Sequence, residues 1–156
     1  MVSVETTIGA DQRDLVAAEL QPLLADLINL SLQGKQAHWN VTGPFFQPVH
    51  AQLDTIVDDA RGWADDVAER MVTVGAPAAG QAADVERDSS LERFMEGTVT
   101  DKQAIAMMAD RVTTVVARAR GSMDKLGEVD LASQDLVIEI VRGLEKHLWM
   151  LRVQLT

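Results

Sequence analysis

The sequence predicts an all-α protein: a four-helix bundle with one long crossover connection. Three observations point there. Glycines and prolines fall in clusters, and the long stretches between them keep a helical apolar period. No alternating apolar–polar pattern persists, tyrosine is absent and phenylalanine occurs only three times, so strands have little to build on. One polar connection, between the second and third helical stretches, is far longer than the rest, as a bundle with a crossover needs.

The first helix is expected from Asp11, a good N-cap residue, to about Asn40. Its apolar stripe is Leu15, Leu20, Leu23, Leu24, Leu27 and Leu30, and Thr42-Gly43-Pro44 breaks it. The second runs from about Pro48 to Val74 and stops at Gly75, with Pro77 beyond. A polar connection follows, with a short helix expected around Leu91 to Met95. The third helix starts after Thr100, where Thr100 and Gln103 form a capping-box pattern, and ends near Gly127. The last runs from about Leu131 to Gln154. With no internal repeat, residues 1–156 read as one domain, residues 1–10 being a short N-terminal extension.

Composition narrows the function. A chain of 156 residues, 47% hydrophobic and 24% charged, suits one soluble domain with a sizeable core. No apolar run approaches the ~20 residues that span a bilayer. Met1 to Ala10 lacks the basic start and apolar stretch of a secretion signal, so no membrane partner is expected. Cysteine is absent, which excludes disulfides and thiolate metal sites and fits a cytoplasmic location. Any metal must be held by His, Asp or Glu, a set that suits iron, manganese or zinc. The net charge of −10 repels nucleic acid and attracts cations, and it equally serves plain solubility.

The second helix concentrates ligand-type residues. His50 and Asp54 are one turn apart, as are Asp65 and Glu69. At ~100° per residue all four fall within an arc of about 100°. The neighbouring arc is apolar: Val49, Leu53, Ile56, Ala60, Ala64, Val67 and Met71. Eleven residues separate Asp54 from Asp65, about 16 Å along a helix. One ion with ligand bonds near ~2 Å cannot bridge that gap, so the helix carries two half-sites. A twofold axis setting this helix antiparallel to its copy would bring His50 and Asp54 of one chain against Asp65 and Glu69 of the other. His38, at the end of the first helix, can add a nitrogen ligand. Each pair alone would equally suit a solvated helix face, as Asp58, Asp59 and Asp66 on the same helix do. Arg61, near the stripe, suits either a salt bridge to a partner or charge balance.

The stretch from His38 to Arg70 carries a resemblance. It reads His38-Trp39-Asn40-Val41-Thr42-Gly43-Pro44-Phe45-Phe46, then His50, Asp54 and Asp65-Asp66-Val67-Ala68-Glu69-Arg70. This resembles the signature of the Dps family, the ferritin-like mini-ferritins named as DNA-binding proteins from starved cells. The family pattern is HWN-x-x-G, then F, H and D, then D-x-x-A-E-R. The likeness extends over the whole chain in helix order, to Ser133-Gln134-Asp135-Leu136 and Trp149. It implies a ferritin-like fold and a ferroxidase site with His38, His50 and Asp54 from one subunit and Asp65 and Glu69 from its twofold neighbour. It also implies twelve subunits in a hollow shell, with Fe²⁺ as substrate and hydrogen peroxide or dioxygen as oxidant. Ferric mineral would be stored inside, in protection against oxidative stress. Trp39 lies near such sites in similar proteins and can absorb a stray oxidising equivalent, though interface packing would account for it equally.

The same resemblance raises DNA condensation as an alternative. Family members that bind DNA mostly use Lys/Arg-rich tails. Residues 1–10 contain no Lys or Arg, and the sequence ends close to the last helix. With −10 per subunit, DNA binding is not expected at physiological salt. Glu128, Asp130 and Asp135 lie where the last helix begins; acidic residues there line a threefold iron pore in similar proteins. N-capping by Asp130 and a favourable helix dipole for Asp135 would explain two of them as well. His147 and Trp149 read as packing.

Overall fold

The computed structural model describes residues 6–156; residues 1–5 of the expected N-terminal extension lie outside the described residues. Four long helices form the bundle: α1 (Ala10–Asn40), α2 (Phe46–Thr73), α4 (Asp101–Val129) and α5 (Leu131–Arg152). A short helix, α3 (Ala82–Asp88), sits in the crossover between α2 and α4, and a 3₁₀ turn (Val153–Leu155) closes the chain. Helix α1 packs along α2, and α4 along α5. Two short parallel segments, β1 (Val41–Thr42) and β2 (Val99–Thr100), pair Val41 with Val99 and Thr42 with Thr100. This pairing fixes the topology, because it places the end of α1 and the starts of α2 and α4 at one end of the bundle. Two residues are too short to show alternation, so nothing in the sequence announced it.

The core is the apolar face of each helix. In α2 the whole expected arc, from Val49 through Leu53, Ile56, Ala60, Ala64 and Val67 to Met71, is buried. In α1 the stripe is buried from Leu20 to Leu30, and only its start differs: Val16 is fully buried while Leu15 is half-buried. Gly34 lets α1 and α2 close together, since a Cβ there would stand 2.6 Å from Val57 Cγ2.

Helix α1 corrects one expectation. An 18-residue stretch of it is long and apolar enough, by length and composition, to cross a bilayer, and half of that stretch is buried inside the bundle. The reason is its position: α1 packs against α2, α3 and α4, so it is apolar on more than one side.

Several boundaries also move. Gly9, not Asp11, is the N-cap of α1, its N–H donating to Gln12 Oε1 at 3.0 Å, and Asp11 lies in the first turn, where the helix dipole favours it. Helix α2 begins two residues before Pro48, whose missing N–H falls among the unpaired first-turn donors. Helix α4 passes through Gly127 to Val129, and α5 yields to the 3₁₀ turn after Arg152.

The short helix is Ala82–Asp88, and Leu91–Met95 is irregular. Its apolar spacing reflects anchoring of a loop: Phe94 is buried, and Gln33 and Arg111 side chains donate to the carbonyls of Glu92 and Arg93 that a helix would have used itself. Just before it, fully buried Asp26 of α1 accepts from Ser89 Oγ, Ser90 N and Ser90 Oγ at 2.9, 2.7 and 3.0 Å, and from Arg118 Nε of α4 at 2.6 Å.

Candidate metal centre

The turn between α1 and α2 brings His38 and His50 face to face. Gly43 makes the turn with φ +123°, a conformation L side chains rarely adopt, and a Cβ there would meet Asp101 Oδ2 at 2.7 Å. Asp101, buried at the start of α4, accepts the Phe45 N–H at 2.8 Å and so ties the corner down. The two imidazoles stack with centroids 3.5 Å apart.

Their hydrogen bonds are reciprocal. His38 Nδ1 is 2.8 Å from the His50 carbonyl oxygen, and His50 Nδ1 is 2.8 Å from that of His38. A carbonyl only accepts, so each Nδ1 carries its proton and donates. Nε2 is then the ring nitrogen left to ligate, the arrangement of a ligating histidine oriented by a backbone carbonyl. His38 is 8% exposed, so its ring has little freedom to turn.

Asp54, one turn beyond His50, lies beside them, its Oδ1 3.4 Å from His38 Nδ1. The same oxygen takes an ion pair from Lys35, a residue the sequence reading missed. Its signal was available: Lys35 stands three residues before His38, on the same face of α1. The Lys35 hydrogen bond holds the Asp54 carboxyl below the usual carboxylate range, against the opposing effect of desolvation.

Asp65 and Glu69 stand one turn apart on α2, both exposed. Neither is ion-paired among the described residues. Arg70 turns to the bundle, donating from Nη2 to Asp130 Oδ2 at 2.6 Å and from Nε to Ser133 Oγ at 2.9 Å. It therefore clamps the Asp65/Glu69 turn onto the α4–α5 corner. Within one chain, and among the described residues, no three His, Asp or Glu side chains gather into a metal-holding group. The five ligand candidates thus fall into two places, His38/His50/Asp54 at one end of α2 and Asp65/Glu69 towards the other.

Other candidates separate. Asp130 is the N-cap of α5, accepting Ser133 N–H at 3.1 Å, and its side chain is only 10% exposed. Burial pushes its pKa up, but Ser133 and Arg70 together hold it below the usual carboxylate range. Glu128 and Asp135 are exposed. Asp59, expected to be solvated, accepts from His147 Nε2 at 2.7 Å, while Asp58, Asp66 and Arg61 are exposed. His147 packs as expected, 4% exposed, but Trp149 does not: it is 63% exposed. Two residues apart on a helix, the two side chains point to opposite sides. Trp39 is also exposed, at 70%.

A four-helix bundle with a helix in its crossover, here with His and carboxylate side chains side by side on adjoining helices, is a ferritin-like architecture. The family model described as Ferritin: Ferritin-like domain matches residues 17–156. The DNA protection during starvation protein of Mycolicibacterium smegmatis is 36% identical over 140 residues, 90% of this chain and 76% of that protein. Among solved structures, the tetragonal form of Mycobacterium smegmatis Dps superposes with a TM-score of 0.93 at 34% identity, covering 99% of this chain and 94% of that one. Dps from Microbacterium arborescens in its high iron form gives 0.92 at 32%, covering 97% and 99%. The chain belongs to the Dps family of ferritin-like proteins.

Proposed function

We propose that this protein takes up Fe²⁺, oxidises it to Fe³⁺ at sites shared between two subunits, and stores the ferric product inside a twelve-subunit shell in the cytoplasm. The observation that carries this reading is the reciprocal bonding of His38 and His50, which leaves Nε2 of each ring to ligate, with the Asp54 carboxylate beside His38. Those three ligands are too few for an iron site. Asp65 and Glu69 of a second chain, unpaired and exposed, supply the remainder in an antiparallel pair. Apolar residues beside the first half-site are exposed as a covering chain requires: Trp39 follows His38, Phe45 is the N-cap of α2 and Phe46 opens it. A mixed imidazole and carboxylate set with room for exogenous ligands suits iron redox chemistry. Hydrogen peroxide fits as oxidant because two ferrous ions supply the two electrons that reduce it, with no hydroxyl radical released. Such chemistry would protect a cell under oxidative stress.

Subunit mixing tests the shared site. His50→Ala and Asp65→Ala particles should each oxidise iron poorly. In a mixed antiparallel pair one site carries both lesions and the other none, so mixing restores activity. Mixed particles no more active than either parent, despite demonstrated subunit exchange, would overturn the proposal. DNA condensation is the competing reading, and a gel shift at low and moderate salt decides it: a band retained at moderate salt would favour DNA binding.

A further inference from the structure

The two carboxylate-bearing turns of α2 set a register. With His50 of one chain opposite Glu69 of an antiparallel copy, Asp54 falls opposite Asp65, one turn further in. One turn further again, Asp58 falls opposite Arg61. The twofold axis repeats this third step, so Asp58 and Arg61 of each chain both meet a residue of opposite charge.

The single chain leaves both side chains open for it. Asp58 and Arg61 are exposed, and neither is ion-paired among the described residues. They are close enough in sequence to pair with each other. Asp84 and Arg87, at the same spacing, close to 3.0 Å, and Arg93 closes on Glu96 as well. Gly62, next to Arg61, is an exposed glycine inside a helix, and a Cβ there would meet nothing within 4 Å. Such a glycine weakens a helix without gain inside one chain, whereas a second helix crossing here would use the space.

Charge favours the same step. Helix α2 exposes Asp58, Asp59, Asp65, Asp66 and Glu69, and among the described residues Arg61 is its one exposed base. Like charges facing each other across an interface oppose association, so two such helices need Arg61 set against an acid.

We infer that Asp58 and Arg61 form two reciprocal ion pairs with Arg61 and Asp58 of the partner subunit, and that these pairs hold the two α2 helices in register. This rests on the shared-site reading above and names the contact that selects a second copy of this chain.

The test reverses charge in the full chain, free of metal. Asp58→Lys leaves only bases at this step, and Arg61→Glu only acids. Each variant alone should keep its helical circular dichroism. In light scattering each should dissociate at a protein concentration about tenfold or more above the native protein's. Mixing the two sets every base against an acid and should restore native assembly. Variants that each assemble like the native protein overturn the inference. So does a mixture as weak as its parents, the result expected if the two side chains pair only within one chain. Cross-linking checks the register without reversing charge. The chain has no cysteine, so Asp58→Cys and Arg61→Cys chains, mixed and oxidised, should give more covalent dimer than either chain alone. No excess overturns the register. The His50→Ala and Asp65→Ala mixing experiment separates the two readings. Restored iron oxidation there, with no excess cross-link here, sinks the Asp58–Arg61 assignment alone. No restoration sinks the shared site, and this register with it.

Discussion

At the scale of single residues, this site depends on small groups that let larger ones meet. Gly34 is the case in point. Alanine would gain helix propensity, up to ~1 kcal/mol. Its Cβ would also stand 2.6 Å from Val57 Cγ2, forcing α1 from α2. Overpacking of that kind costs about 1–3 kcal/mol, so Gly34→Ala should lower stability in a denaturant melt. Adding Val57→Ala should recover part of the loss by making room. The histidine pair should report the same shift: since each ring is bonded to the backbone of the other helix, the imidazole resonances should move in Gly34→Ala and move back in the double variant.

The elements are joined by buried polar links at their ends. Asp130 caps α5 and receives Arg70 of α2, so one carboxylate fixes both the helix start and the turn that carries Glu69. Its pKa is depressed in the folded protein from an ordinary value of 3.8. A depressed carboxylate stabilises the fold above that ordinary value, and the contribution disappears as pH falls through the lower, folded value. Asp130→Asn keeps a good N-cap but should cost about 2 kcal/mol at pH 7, from the lost charge-assisted bond to Arg70. The cost should shrink as pH falls below 3.8, which thermal melts over a series of pH values would show. Iron uptake in an intact shell should be unchanged, because a capped and paired carboxylate is not a pore group. Asp26 does the same work for the crossover. Asp26→Asn leaves Arg118 without its charge partner and should destabilise by about 3 kcal/mol. Hydrogen exchange should then rise first at residues 89–95.

At the scale of the whole molecule, the proposed function makes one chain half of two sites, and its exposed apolar residues are then the place to break the pairing. Trp39→Glu with Phe45→Glu should leave the helical circular dichroism unchanged, since both side chains are exposed in the single chain. The particle should dissociate to species near 17.0 kDa, and iron oxidation should go with it. Light scattering and an oxidation assay on one sample check both. Glu128 and Asp135 remain the exposed acids at the α4–α5 corner. If three copies meet there, Glu128→Gln with Asp135→Asn should slow iron uptake several-fold at low salt and much less at high salt, because the Debye length falls from about 30 Å at 0.01 M to about 10 Å at 0.1 M. Uptake equal to the native rate at low salt would remove the pore assignment.

Sequence by itself determined the helices, the crossover and the five ligand candidates, because these rest on short-range regularities: a 3.6-residue period, caps and one-turn spacings. Residues Val49 to Met71 could be read as a buried arc since every one of them obeys the same period. The separation of His50 and Asp54 from Asp65 and Glu69 along α2 was legible too, as rise per residue is a fixed length. Tertiary structure alone decided what each polar group was paired with. The His38–His50 exchange of backbone bonds, Lys35 on Asp54, Arg70 on Asp130 and His147 on Asp59 all join residues from different helices. Their partners depend on how far those helices rotate and approach, which a period does not record. The same cause moved the short helix from Leu91–Met95 to Ala82–Asp88: apolar spacing marks what is buried, but whether that segment coils depends on whether Gln33 and Arg111 claim its carbonyls.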